Sequence, residues 1–208
     1  MAAEASSEMD LARLKALAEE GRNRPLLGGR HFILFGAALA LASLMHAAIL
    51  ARVLPWPPMA FAAVWLVWMG GASVAARIIP KGASSGTIGN RVERQVWNVG
   101  GVVLAALALG ILAHAMLAMG RTESAEGFRL FVLLPPVTFG VYAIAMAASA
   151  AAAQADHLRP YAVMSVVFLV LTVMLAGSIW QYLAMAAGAV LVSVVPGFVL
   201  LRREAGHG

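Results

Sequence analysis

The stretch Val96–Met119, VWNVGGVVLAALALGILAHAMLAM, decides the fold class. It holds no Asp, Glu, Lys or Arg. At about 1.5 Å per residue a helix of this length covers about 36 Å, more than the ~30 Å hydrocarbon core of a bilayer. A barrel strand is excluded by the continuity of the run, because such strands alternate and last about 10 residues. Five further runs read the same way: Phe32–Val53, Pro57–Ala76, Leu130–Ala153, Tyr161–Gly177 and Trp180–Leu201. The expected architecture is an all-α integral membrane protein with six transmembrane helices.

The composition agrees. The chain is 62% hydrophobic and 12% charged, with a mean hydropathy of +0.84, whereas soluble domains carry about 25% charged residues. It has no cysteine, so disulfides and thiolate metal sites are excluded. The first apolar run follows a polar segment of about 30 residues and is too long for a secretory signal, so it reads as a retained helix.

The net charge of +5 is distributed asymmetrically. With the N-terminus in the cytoplasm, the inner segments hold Arg13, Lys15, Arg22, Arg24, Arg30, Arg77, Lys81, Arg91, Arg94, Arg159, Arg202 and Arg203. The outer side holds Arg52, Arg121 and Arg129. This bias places both termini inside. It assigns the basic residues to topology and anionic lipid rather than to nucleic acid. Together with an Ala/Arg-rich, Lys-poor composition it suggests a bacterial inner-membrane protein. Trp56 and Trp180 fall at outer span ends and Trp97 and Tyr161 at inner ends, where amphipathic rings prefer to sit.

The chain divides into a cytoplasmic segment 1–30, a membrane domain 31–203 and a cytoplasmic tail 204–208. Within the first, SEMDLARLKALAEE (7–20) reads as a short amphipathic helix. Ser7 and Asp10 form its capping pattern, Leu11, Leu14 and Ala18 its apolar stripe, and Gly21 its end. The stripe suits the lipid surface, a partner protein or the chain's own inner loops. The connection RIIPKGASSGTIGNRVERQ (77–95) is rich in Gly and reads as a loop, with Asn90 capping the polar first turns of the third span. Arg91 and Arg94 there, with Leu11 and Leu14, are the candidate contacts with lipid or a protein partner. Pro135-Pro136 should distort the start of the fourth span, and Pro196-Gly197 should kink the sixth.

An internal repeat is visible. ALALASLMHA (38–47) and ALALGILAHA (106–115) share seven of ten positions, including His46 and His114. Pro57-Pro58 followed by Phe61 recurs as Pro135-Pro136 followed by Phe139. AMAASA (145–150) resembles AMAAGA (184–189) more weakly. The expected organisation is three tandem αα-hairpin repeats.

No catalytic centre is apparent. GASSG (82–86) matches the spacing of a hydrolase elbow but lies in a loop after a membrane helix, without the strand that such an elbow needs. GASV (71–74) faintly resembles the serine motif of rhomboid proteases, but the second glycine is missing and the sixth span has no histidine. No Asp, Glu, Lys or Arg lies within the apolar core of any of the six spans, which weakens a pump or antiporter reading. His46 and His114 remain the candidate ligands, at matching depth in two spans. If the spans touch, the two imidazoles could hold haem or a transition metal or carry a proton. The alternative is that each neutral ring hydrogen-bonds a neighbouring group and locks helix packing. Both rings are expected to turn into the bundle, because a polar ring facing hydrocarbon lacks a partner. Six spans with paired histidines broadly resemble the cytochrome b561 group, whose members use four histidines for two haems, whereas this chain offers one intramembrane pair. The leading expectation is a non-enzymatic protein that needs no cofactor, with an accessory or regulatory role or one in passing a small solute. The alternative is a redox protein with His46 and His114 as haem or metal ligands.

Overall fold

The computed structural model describes residues 28–57, 60–79, 88–122 and 125–205. The proposed helix 7–20, with Leu11 and Leu14, lies outside the described residues. Among those described, the chain is all-helical and contains six helices long and apolar enough to cross a membrane. They are α1 (Gly29–Leu50), α2 (Ala60–Ile78), α3 (Ile88–Thr122), α4 (Leu134–Ala153), α5 (Arg159–Met174) and α6 (Ile179–Ala205). A 3₁₀ segment (Ala125–Leu133) leads into α4, and a one-turn 3₁₀ helix (Asp156–Leu158) leads into α5.

Three boundaries differ from the sequence reading for identifiable reasons. Helix α3 begins at Ile88, so Asn90 lies inside the helix and is buried rather than capping it. The polar turns 90–95 are thus helical, and the apolar run follows from Val96. Pro135 and Pro136 start α4 instead of bending it, since proline lacks only an N–H that the first helical turn leaves unpaired anyway. Helix α6 continues through Ala205, which puts Glu204 in its last turn and not in a tail. Pro196 acts upstream: the turn Val190–Val194 is π-helical, a widening that accommodates a ring with no N–H.

Helices α1, α4 and α6 form the inner layer, with 50%, 44% and 50% of their apolar windows buried; α2, α3 and α5 are peripheral, with 17%, 11% and 22%. Leu39 of α1, Phe139 and Tyr142 of α4, and Met185, Ala189 and Val192 of α6 make the central cluster. Within a bilayer the helix faces gain little from leaving lipid, so shape complementarity and close approach must hold them together. The α1–α6 contact shows this. Gly29 lies against the carbonyl of Gly197, Gly36 against Ser193, and Gly197 against Ile33 and the carbonyl of Gly29. This contact brings the first turn of α1 and the last of α6 to one end of the bundle, called here the terminal end. The distal end holds the α1–α2 and α5–α6 turns, with Arg52 and Gly177 at positive φ.

Candidate functional site: a polar core at the terminal end

The two histidines stand in unlike places. On α1, Leu39, Ser43 and His46 share the buried face at helical spacing, and the His46 side chain is 2% exposed. Its ring stacks between Phe61 at 4.1 Å and Tyr182 at 3.8 Å. The Trp65 indole N–H donates to His46 Nδ1 at 3.1 Å. An acceptor nitrogen carries no proton, so the neutral ring holds its hydrogen on Nε2. The Nδ1 lone pair that a metal would take is already engaged.

His114 is exposed on α3. This corrects the expectation that both rings turn inward. Helix α3 packs chiefly on α4 and the preceding 3₁₀ segment, and buries Ile111 and Ala115 there, which leaves His114 on the outer face. Trp65, which bonds His46, itself packs against the cluster of Ile111, Phe131 and Leu134. The two imidazoles therefore do not meet within one chain. Arg91 and Arg94 are exposed on the first turns of α3. Trp97 also departs from expectation: its ring turns into the bundle, edge-on to Phe32 at 4.9 Å and to Tyr142 at 4.8 Å, rather than lying in an interfacial belt.

Buried polar side chains sort by level. Toward the distal end they are partnered. Ser43, Thr138 and Thr172 donate to the carbonyls of Leu39, Leu134 and Phe168. Gln181, fully buried, donates to the carbonyls of Val132 at 2.8 Å and Thr172 at 3.0 Å and accepts from the N–H of Gly177 at 3.1 Å. A single amide thus ties the α5–α6 turn to the entry of α4. Gln181→Leu keeps the approximate volume and strips three bonds. We expect a loss of about 2–3 kcal/mol, measured by unfolding in micelles, as the orphaned backbone groups add to a mean of ~0.6 kcal/mol per membrane hydrogen bond.

Toward the terminal end several polar atoms have no partner. A short network comes first: Tyr142 donates to Ser193 Oγ at 3.4 Å, and Ser193 in the π turn donates to the Phe32 carbonyl at 2.8 Å. Beyond it Trp97 Nε1, Ser149 Oγ, Glu93 Oε1 and Glu204 Oε1 are buried and unbonded. Glu93 sits one helical turn before Trp97 on the same face of α3, and its residue is 5% exposed. Its Oε1 lies against Gly28, where a Cβ would overlap it. Glu204 accepts from the backbone N–H of Gly29 and feels the charge of Arg30. The antiparallel register of α3 and α4, which sets Gly89 on Ala153 and Gly100 on Val141, brings Ser149 level with Glu93. Helices α3 and α6 thus bring two carboxylates to the start of α1, with the Trp97 indole one turn along α3 and the Ser149 hydroxyl of α4 level with Glu93; Phe32, Met146 and Ala150 belong to the apolar cluster of this end.

No family model, curated protein or solved structure matches this chain. The site rests on its own geometry. The sequence reading set Glu93 and Glu204 aside as a polar first turn and a tail. The available signal was the spacing Glu93–Trp97, an acid and an indole on one helical face at the edge of an apolar run.

Proposed function

We propose that this chain is a multi-pass protein of the bacterial inner membrane, with both termini in the cytoplasm. In this reading it is an accessory or regulatory component that binds a small ligand in the terminal-end polar core. The observation carrying the reading is the contrast between the two levels of the bundle. Toward the distal end His46 and Gln181 are bonded to other elements and Ser43, Thr138 and Thr172 to their own helices, while Glu93, Trp97, Ser149 and Glu204 keep unspent hydrogen-bonding capacity. A buried polar group without a partner costs about 1–3 kcal/mol, which a bound species would recover. Binding is favoured over passage because Phe139 and Met185, both fully buried, fill the level above the core. Leu11, Leu14, Arg91 and Arg94 are the contacts proposed for lipid or a protein partner. The positive-inside bias supports the orientation.

The absence of cysteine offers a direct test. A single Ser149→Cys variant places a thiol at the free hydroxyl. Ser149 is fully buried, so a membrane-impermeant thiol reagent should modify this thiol slowly, as the core opens to admit its ligand, in inside-out vesicles and not in spheroplasts. Labelling from the periplasmic side, or from neither side, would remove the reading. Reporter fusions at Gly208 and near Ser124 should report opposite faces of the membrane.

A further inference from the structure

The occupant that suits this core must be small. Gly28 closes directly over Glu93, and Phe32 and Trp97 close its flank. Two carboxylates meet there at the amino end of α1, which resembles about half a positive charge. Glu204 has the better claim on that potential. Burial penalises its charge as well, but the Arg30 guanidinium and the Gly29 N–H offset part of that penalty. Glu93 sits beside the same helix end, yet its Oε1 has no donor; burial disfavours its charge first, and the Glu204 carboxylate adds to that. Arg203 and Asp156 act on His157, at the rim of the core. One anion is therefore accommodated at this junction and a second is not. Burying an uncompensated carboxylate is expensive, and such a group takes up a proton instead.

We propose that Glu93 and Glu204 are a proton-binding pair, holding one proton between them while the ends of α1, α3 and α6 are docked. Glu93 carries the proton, and Glu204 remains the anion that caps α1. Loss of the proton to the adjoining aqueous phase leaves two repelling carboxylates against Gly28 and Gly29, so the junction loosens as pH rises. The pair thereby couples the proton concentration on that side of the membrane to the root of α1, where residues 1–27 join. The inference rests on the polar core being the working site, and it names the proton as the ligand.

Infrared difference spectroscopy of the full chain in nanodiscs tests it, because a protonated carboxylic acid has its own carbonyl stretch. At neutral pH the wild-type protein should show this band, and it should titrate away on the alkaline side. Glu93→Gln should abolish the band. Glu204→Gln should keep it but shift its midpoint to lower pH, since the repelling charge is gone. A spectrum without the band at neutral pH, or a band indifferent to Glu93→Gln, overturns the proposal. If Glu93→Gln fails to fold, the Glu204→Gln shift decides: an unmoved midpoint overturns the coupling. Ser149→Cys labelling is a separate readout. A missing acid band with one-sided labelling sinks the proton pair alone, whereas a present band with no labelling sinks the ligand-access reading.

Discussion

Gly197→Val should drive α1 and α6 apart and give the largest stability loss of any single glycine replacement in the bundle. A Cβ at 197 would meet the Gly29 carbonyl oxygen at 2.8 Å, the Ile33 backbone nitrogen at 3.0 Å and Ile33 Cγ1 at 2.7 Å. Two of these are backbone atoms on a facing helix, which cannot rotate away as a side chain does. Overpacking a core costs about 1–3 kcal/mol, and a clash against backbone belongs at the upper end of that range. The disturbance should also reach the polar core, because the same contact holds Gly29 near Glu204. Gly101→Val on α3 is the matched control. Nothing lies within 4 Å of its added Cβ, so stability should change by less than about 0.5 kcal/mol. Unfolding of the two variants in micelles, side by side, checks the difference. Equal effects would mean that the α1–α6 crossing is looser than described.

The six apolar helices were legible in the sequence because the signal is additive along the chain. Any apolar run of about 20 residues reports itself, whatever it packs against. Their burial was not legible. Val96–Met119 and Phe32–Val53 are similarly apolar, yet α3 lies at the periphery and α1 in the inner layer. Hydropathy measures preference for lipid over water and is nearly blind to preference for protein over lipid. The discriminating residues are small ones at crossings. Gly29, Gly36 and Gly197 meet a neighbour, while Gly70, Gly71, Gly101 and Gly110 meet nothing. A glycine's role depends on the facing helix, which local sequence does not specify.

The polar core was missed for a related reason. Glu93 and Glu204 lie at the ends of apolar runs, where a charged residue ordinarily reaches water and needs no explanation. What removes Glu93 from water is convergence: Gly28 from one helix and Trp97 from its own, with Phe32 edge-on to the indole. The Gly28–Glu93 and Phe32–Trp97 contacts each join residues 65 positions apart in sequence. Ser149 was hidden likewise. Ser43, Ser73 and Ser165 bond back to the carbonyl four residues earlier, as helical serines commonly do in membranes. Ser149 does not, and only the structure separates it from them.

The two histidines give the sharpest version of the same point, and a prediction with opposite outcomes for near-identical sequences. His46→Ala should cost about 3 kcal/mol, measured by reversible unfolding in micelles. The change removes two ring stacks, each worth about 0.5–1.5 kcal/mol. It also leaves the Trp65 indole N–H without its acceptor and opens a gap between Phe61 and Tyr182. His46→Gln restores an acceptor but no aromatic face, so it should recover only part of the loss. His114→Ala should be close to neutral in the isolated chain, since its side chain is exposed and its neighbour Ile111 is the residue packed with Phe131 and Leu134 at the entry of α4. If both alanine variants were equally destabilised, a contact on His114 beyond the single chain would be required. If neither were, the aromatic stack around His46 would not be holding α1, α2 and α6 together. The shared decapeptide pattern does not set the outcome: His46 is a packing residue by virtue of partners that lie 15, 19 and 136 positions away in the chain.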